Sequence, residues 1–350
     1  MSNYHVHDFL SFSIKNGKDS QPTRSLWLWI SKQYESFLCS SEAHPDLEVQ
    51  VGPFQPEISG CYILDDKCYV ARDYLYSTIK YKFTKFEFDI TGWEGESLRM
   101  RVSCNLPGFL MVTALVIDPL LLYALIQRQV LPVHAACIAD GKGAYLFAGS
   151  SGTGKTSICL DLMGDGYNLL GDNYTLFSNG RVYGFLSPLN IFTYNLTPAL
   201  TERVSRATLV ALRVKGLLWR ATGGYIKVFT KINPVRLWPG QTACTQAVPR
   251  AIFLLVKSNR LQIDQVSPED LAAALVANMR LEIPTLLQWL AQYSFVNSGF
   301  SVPRWLAWYE TCLTENLSQV PHLLRVEVPE ADGSSNAESM RSLIEGVQDH

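Results

Sequence analysis

The spacing of apolar residues changes period several times along the chain, and each change marks a different element. Bulky residues recur at helical spacing from Ser25 to Phe37 (Leu26, Ile30, Tyr34, Phe37), which predicts one amphipathic helix. Beyond it the period shortens to two. Cys61 to Leu64 and Cys68 to Ala71, across an Asp65-Asp66-Lys67 turn, predict a hairpin. Lys85 to Ile90 alternates aromatic and aliphatic residues with charges, the pattern of a strand buried on one face. Phe109 to Ile126 is almost wholly apolar, but Asp118-Pro119 interrupts it, and a charge with a helix breaker at that depth would be costly in lipid. A short element ending near Asp118 is expected there, followed by a buried helix that opens on Pro119.

From Leu131 the apolar runs become short and small. Val133 to Ala139 reads as a strand, Gly141 to Gly143 as a tight turn, and Ala144 to Ala148 as a second strand. A helix follows Gly154 with apolar positions Ile158, Leu160, Leu162 and Met163, and Gly164 to Gly166 end it. Tyr167 to Asp172 is a strand that delivers a carboxylate at its C-terminal edge. Val182 to Leu186 and Ala251 to Val256 read as further strands. Residues 267–318 read as helical, opened by Ser267 as N-cap and Pro268 at the first helical position. The tail after Glu330, with Gly333, Ser334 and Ser335, reads as a loose linker, with a short amphipathic end as the alternative. An α/β (α+β) chain in three parts is expected: a smaller α+β N-terminal domain over 1–105, available for substrate binding; a nucleotide-binding core over 106–260; and a helical C-terminal region over 261–350.

Composition narrows the function classes. The chain has 350 residues, 47% hydrophobic and 18% charged, the profile of a folded protein rather than a disordered or repetitive one. Thirty Lys and Arg against 32 Asp and Glu leave a net charge of −2, so no broad basic field offers itself to nucleic acid or an anionic membrane. Eight cysteines occur without any CxxC pair and read as reduced core residues, not as disulfides or a zinc site. His5 and His7 form an HxH near the start, where two solvated side chains are the plainer reading than a metal site. Trp27, Trp29, Phe86, Phe88 and Trp93 are accounted for by core packing. The first residues lack a basic segment followed by an apolar run, so a cytoplasmic location without a membrane partner is expected.

The chemistry is concentrated in one stretch. Gly149, Ser150, Ser151, Gly152, Thr153, Gly154, Lys155 and Thr156 match G-x-x-x-x-G-K-[ST] in full, between a predicted strand and a predicted helix. Glycines let backbone N–H groups turn around phosphate oxygens, and the helix N-terminus adds partial positive charge. Lys155 is placed to meet the β- and γ-phosphates, and the Thr156 hydroxyl to ligate Mg²⁺, so ATP and Mg²⁺ are the expected cofactors. No N/T-K-x-D base-reading motif of a GTPase occurs. Instead Asp172 arrives only 17 residues after Lys155, a loop, helix and strand short enough to return the chain beside the phosphates. A carboxylate there could take the proton from an attacking hydroxyl; a turn or capping carboxylate is the bland alternative.

Val133-His134-Ala135-Ala136, the P-loop, and Gly166 to Asp172 together resemble the HPr kinase/phosphorylase family, whose core shares its P-loop arrangement with phosphoenolpyruvate carboxykinase. That family has a His 21 positions before the P-loop Lys and an Asp 17 positions after it, and His134 and Asp172 fall at both places. The resemblance implies that Asp172 is the base that activates a serine hydroxyl, with Lys155 and Thr156 holding ATP and Mg²⁺. It places His134 near the transferred phosphate, against the alternative of a strand histidine satisfied by its neighbours. It also implies a metal site drawing on Thr156, Asp172 and a position near Asn195. The chain departs from the family where Asn173 replaces a second acid and where Asn195 is an amide, which puts the reverse, dephosphorylating reaction in doubt. Lys227 and Arg236 are candidate phosphate or substrate contacts, with surface charge as the plainer reading of both. The likeness covers roughly residues 131–256 and is strong over 131–173. The first domain does not look like the family's regulatory domain, so a different acceptor is expected, as in the kinases of natural-product precursor peptides.

Three readings follow. The leading one is an ATP- and Mg²⁺-dependent kinase acting on a Ser hydroxyl of a peptide or small protein. The others are a small-molecule kinase and a nucleotide-gated binding protein with little turnover. Oligomeric state is left open, a homo-oligomer included.

Overall fold

The computed structural model describes all residues except 18–20, 41–43, 66, 82, 96, 224–228, 243, 330–332 and 349–350. Asp66 of the expected hairpin turn and Lys227 therefore lie outside the described residues. The chain is a mixed α/β protein that parts into two compact units. One is Met1–Val130 with Arg280–Tyr309, and the other is Leu131–Met279 with Glu310–His350. Three consecutive segments were expected; each unit is instead assembled from two stretches of chain, because late helices supply side chains that earlier strands need. Among the described residues no helix is long and apolar enough to cross a membrane.

The first unit is built on a nine-stranded sheet. Its two parallel contacts join Leu10–Asn16 to Leu47–Val51 and Leu47–Val51 to Leu98–Cys104. Alternation sets its faces: Leu47, Val49 and Val51 are fully buried while Glu48 and Gln50 point the other way. The expected hairpin forms between Tyr62–Asp65 and Cys68–Ala71, and the alternating run forms the strand Thr84–Thr91, with Phe86, Phe88 and Ile90 buried. The first helix runs Gln21–Gln33, earlier than the apolar spacing alone suggests, and Phe37 is carried by a separate short turn. In the helix Asp118–Gln127 every residue from Pro119 to Ile126 is buried, which is why that stretch has no polar face. The later helix Pro284–Val296 brings Trp289 to 4.6 Å from Phe88 and Tyr293 to 5.3 Å from Trp93 between ring centroids. Such aromatic pairs are worth about 0.5–1.5 kcal/mol each beyond their buried area, and they tie this helix to the N-terminal sheet.

On the polar face of that sheet Asp89 is 2% exposed. The Nε of Arg101 donates to its carboxylate at 3.0 Å, and the Tyr74 hydroxyl donates at 3.2 Å. A cavity of about 230 Å³ opens beside this pair.

The second unit carries the six-stranded sheet Asn168–Gly171, Ala135–Ala139, Ala144–Ala148, Pro249–Ser258, His322–Pro329 and Gln262–Gln265, in that spatial order. Ala144–Ala148 pairs in parallel with Pro249–Ser258, which pairs in parallel with His322–Pro329. Two strands, Gln262–Gln265 and His322–Pro329, thus belong to the 261–350 region expected to be mainly helical, and both lie outside the 267–318 stretch read as helix. The helix Lys155–Gly164 buries Ile158, Cys159, Leu160, Leu162 and Met163, each worth roughly 1.5–3 kcal/mol if fully withdrawn from water. It packs against Ala135–Ala139 on one side and against the helix Gly333–Gln348 on the other. Of the two readings of the tail, the loose linker is overturned and the amphipathic end holds: the tail is this C-terminal helix, whose Ala337, Met340 and Ile344 are buried. Small and polar residues at its start masked an apolar stripe at positions 337, 340 and 344.

The expected single strand Val133 to Ala139 is also divided. Leu131–Val133 joins a four-stranded sheet by pairing with Thr175–Ser178, while Ala135–Ala139 pairs with Ala144–Ala148 in the six-stranded sheet. His134 sits at the switch between the two. All eight cysteines are free, but only Cys68, Cys137 and Cys159 are buried, the other five being half-buried. The expectation that they are core residues holds for those three.

Candidate functional site

One end of the six-stranded sheet gathers the residues singled out from the sequence. Ala135 pairs with Ala148, so His134 and Gly149 leave adjacent antiparallel strands side by side. Cys137 pairs with Gly171, which carries the chain directly into Asp172 from the strand on the other flank. The P-loop, His134 and Asp172 thus share a sheet edge through strand pairing alone.

Local backbone demands explain the glycines. At Gly149 φ is +149°, and an added Cβ would lie 2.6 Å from the Leu255 carbonyl oxygen of the neighbouring strand. Gly154 adopts φ +94° as the residue preceding the helix Lys155–Gly164, a left-handed conformation that a side chain resists. Ser150, Ser151 and Gly152 lie at the loop tip, the two serines exposed, while Thr153 is 3% exposed and its hydroxyl donates to the Ser150 carbonyl at 3.0 Å. The loop is thereby held open at the mouth of a helix N-terminus, the arrangement that suits a phosphate group.

Lys155, Asp172 and His134 are all buried. Lys155 folds back so that its ammonium donates to the Gly149 carbonyl at 2.6 Å and the Ser150 carbonyl at 3.1 Å. Asp172 is 6% exposed, lies beside the Thr156 hydroxyl, and leaves its Oδ1 without a hydrogen-bond partner among the described residues. Burial raises its pKa above the ordinary value, with the Thr156 hydroxyl and the Lys155 charge acting against the rise. Burial, reinforced by Lys155, lowers the His134 pKa to about 3, so the imidazole is neutral at physiological pH. Its ring lies edge-on to Tyr174, centroids 5.8 Å apart.

The donor set fits a hard cation and a phosphate chain in part. A buried carboxylate oxygen without a partner, next to a threonine hydroxyl, is suited to Mg²⁺ or to an incoming hydroxyl group. Asn195, the third expected metal position, is 3% exposed and already committed. Its amide donates to the Ser157 hydroxyl at 3.0 Å, and its carbonyl accepts from the Phe192 N–H at 3.0 Å. Ser157 follows Thr156 directly, so Asn195 braces the first turn of the helix Lys155–Gly164. Asn173 is half-buried beside Asp172, and Arg236 lies on the short helix Pro234–Leu237.

One participant carries no motif in the sequence. Asn278, 8% exposed on the helix Pro268–Glu282, donates through Nδ2 to the Gly149 carbonyl at 3.2 Å and to the His134 carbonyl at 3.4 Å. A signal for it exists all the same: Asn278 follows Leu271 and Leu275 at helical spacing, a polar amide on the face of the helix that is otherwise apolar.

No protein-family model matches the chain, and no curated protein is significantly similar to it.

Proposed function

We propose that the protein is an ATP- and Mg²⁺-dependent kinase of the HPr kinase-like kind, transferring the γ-phosphoryl group to a hydroxyl, in the first instance Ser of a peptide or small protein. The observation that carries this reading is Asp172: a buried carboxylate beside the P-loop and the Thr156 hydroxyl, with one oxygen left without a partner among the described residues. A purely structural carboxylate would normally have both oxygens satisfied. In this reading the free oxygen faces the acceptor hydroxyl.

The step follows from the groups at the sheet edge. The P-loop backbone and Lys155 bind the β- and γ-phosphates, and to do so the Lys155 ammonium leaves the Gly149 and Ser150 carbonyls. Asp172 takes the proton of the acceptor hydroxyl as its oxygen bonds to the γ-phosphorus, and the bond from that phosphorus to the bridging oxygen breaks to release ADP. A raised pKa makes Asp172 a better proton acceptor than an exposed aspartate. His134 remains uncharged next to Lys155 and supplies a dipole, not a cation, near the phosphate. Thr156 and Asp172 would hold Mg²⁺, which when bound neutralises charge on the phosphate oxygens.

A nucleotide-gated binding protein is the second reading. It is favoured by Asn195, whose amide and carbonyl both bond within the protein, leaving fewer groups to hold a metal than the family pattern supplies.

The test is mass spectrometry of the protein with ATP, Mg²⁺ and small proteins or peptides encoded beside its gene, with Asp172→Ala and Lys155→Ala as controls. Gain of one phosphoryl mass on a peptide, absent with both variants, supports the kinase and names its acceptor. Lys155-dependent ATP binding with no acceptor modified shifts the weight to a small-molecule kinase or to the nucleotide-gated binder.

A further inference from the structure

The helix Arg206–Ala221 of the second unit is strongly amphipathic. One side is anchored: Leu212 and Gly216 are buried, and a Cβ on Gly216 would meet the Thr193 hydroxyl at 2.3 Å, so the helix lies against the turn Thr193–Asn195 at close range. Its opposite side is apolar and in water. Val210 is 60% exposed, Val214 59%, Leu217 63% and Leu218 45%. Scattered single apolar residues on a surface need no explanation, but four on one arc of one helix form a continuous patch.

Sequence spacing gives the patch a form. Ala207, Val214 and Ala221 recur every seven residues, and Val210 and Leu217 interleave with them at the same period, the a and d positions of a heptad seam. Arg206, Arg213 and Arg220 recur every seven residues as well, at the flanking g position, and all three are exposed. The helix contains no acidic residue. An exposed a/d seam edged by a row of arginines has the pattern of one half of a helix-helix interface.

We infer that this face docks an amphipathic helix of a partner protein that presents apolar a and d residues and carboxylates along the edge facing the arginine row. Charge decides between occupants. In a second copy of the chain the positions opposite the arginines would be Ala211 and Leu218 in a parallel pair, or the same arginines in an antiparallel one, so neither arrangement neutralises the row. A lipid surface would call for bulky aromatic anchors, and the exposed arc offers small alanines that favour close approach of another helix. Arginine pairs with carboxylates in two-pronged fashion, which fixes the register of such a partner. The inference is independent of the reading of the P-loop.

The experiment uses the full chain and two synthetic helical peptides of about three heptads, both with Leu at a and d, one with Glu and one with Lys at e and g. Fluorescence anisotropy at about 0.15 M ionic strength is expected to show the Glu peptide bound and the Lys peptide weaker by about tenfold or more. The exposed triple variant R206E/R213E/R220E, checked for an unchanged melting temperature, is expected to invert that preference, and Leu217→Asp to abolish binding of the Glu peptide. Binding of neither peptide, or equal binding of both, overturns the inference. So does a preference that survives the triple reversal. Sedimentation that shows a dimer lost in Leu217→Asp would assign the face to a second copy. Arginine-dependent flotation with phosphatidylserine vesicles, without peptide discrimination, would assign it to a membrane.

Discussion

The side-chain amide of Asn278 donates to the carbonyl of Gly149, a residue 129 positions earlier, at 3.2 Å. The same Nδ2 reaches the His134 carbonyl, so one amide joins the mouth of the P-loop to the strand end that carries the histidine. Asn278 touches no reacting atom in the proposed reaction and acts as a positioning residue. Replacement by Leu removes the donor from two carbonyls in a buried place, a loss of about 1–3 kcal/mol. The P-loop is expected to bind ATP several-fold more weakly, while Asn278→Gln, which keeps an amide, recovers part of the affinity. Nucleotide titration at a temperature where both variants are folded checks this. Unchanged affinity in Asn278→Leu would show that the bridge holds the fold alone.

In the proposed reaction Asp172 trades stability for chemistry. Its folded-state pKa is raised, so the protonated form is favoured in the native state, and the resulting stability is lost as pH rises through the folded value. At neutral pH the ionised carboxylate is a cost. Asp172→Asn is expected to melt higher than the parent at pH 7 by on the order of 2–4 °C, about 1 kcal/mol for units of this size. The gap should close below the ordinary carboxylate range. Phosphoryl transfer should be lost in the same variant. Melting curves at pH 7 and near pH 3.5 decide it, and a variant that melts lower at pH 7 would contradict the assigned burial cost.

For His134 the sign is opposite. Its pKa is lowered from 6.5 to about 3, so the unfolded chain takes up a proton in this range that the native state refuses. Stability is lost as pH falls from 6.5 toward 3, at up to about 1.4 kcal/mol per pH unit from this group. His134→Gln is expected to show a shallower acid dependence between about pH 6.5 and 4.5 in urea unfolding. Parallel slopes for parent and variant would mean that the imidazole is charged in the native protein.

The C-terminal helix supports the P-loop helix through buried apolar contact. Ile344 is fully buried in the core shared with Leu160 and Met163. Ile344→Ala is expected to destabilise the second unit by about 2–5 kcal/mol through lost burial and the cavity left behind. Arg341, whose Nε lies 2.9 Å from the Asp165 carboxylate in a partly exposed pair, is expected to contribute less than about 1 kcal/mol. Thermal denaturation of Ile344→Ala and Arg341→Ala compares the two directly.

Elements whose determinants lie close together along the chain are legible in the order of residues alone. The Gly149 to Thr156 turn between strand and helix is one, since left-handed glycines and the helix start are properties of consecutive residues. The alternation of Phe86, Phe88 and Ile90, and the all-apolar run ending in Asp118–Gln127, are others, because period and burial are written into side-chain order. Even the approach of Asp172 to the P-loop could be read, since a single helix and strand separate them. Folding added what depends on partners distant in sequence. Strand pairing split Leu131 to Ala139 between two sheets and put His134 at the break. The helices carrying Trp289 and Ile344 were claimed by different units because each fills a core that earlier residues leave open, and pattern alone does not name the surface an apolar stripe will cover. The pKa values of His134 and Asp172 belong to the same class: burial sets both, and burial is a property of the assembled chain.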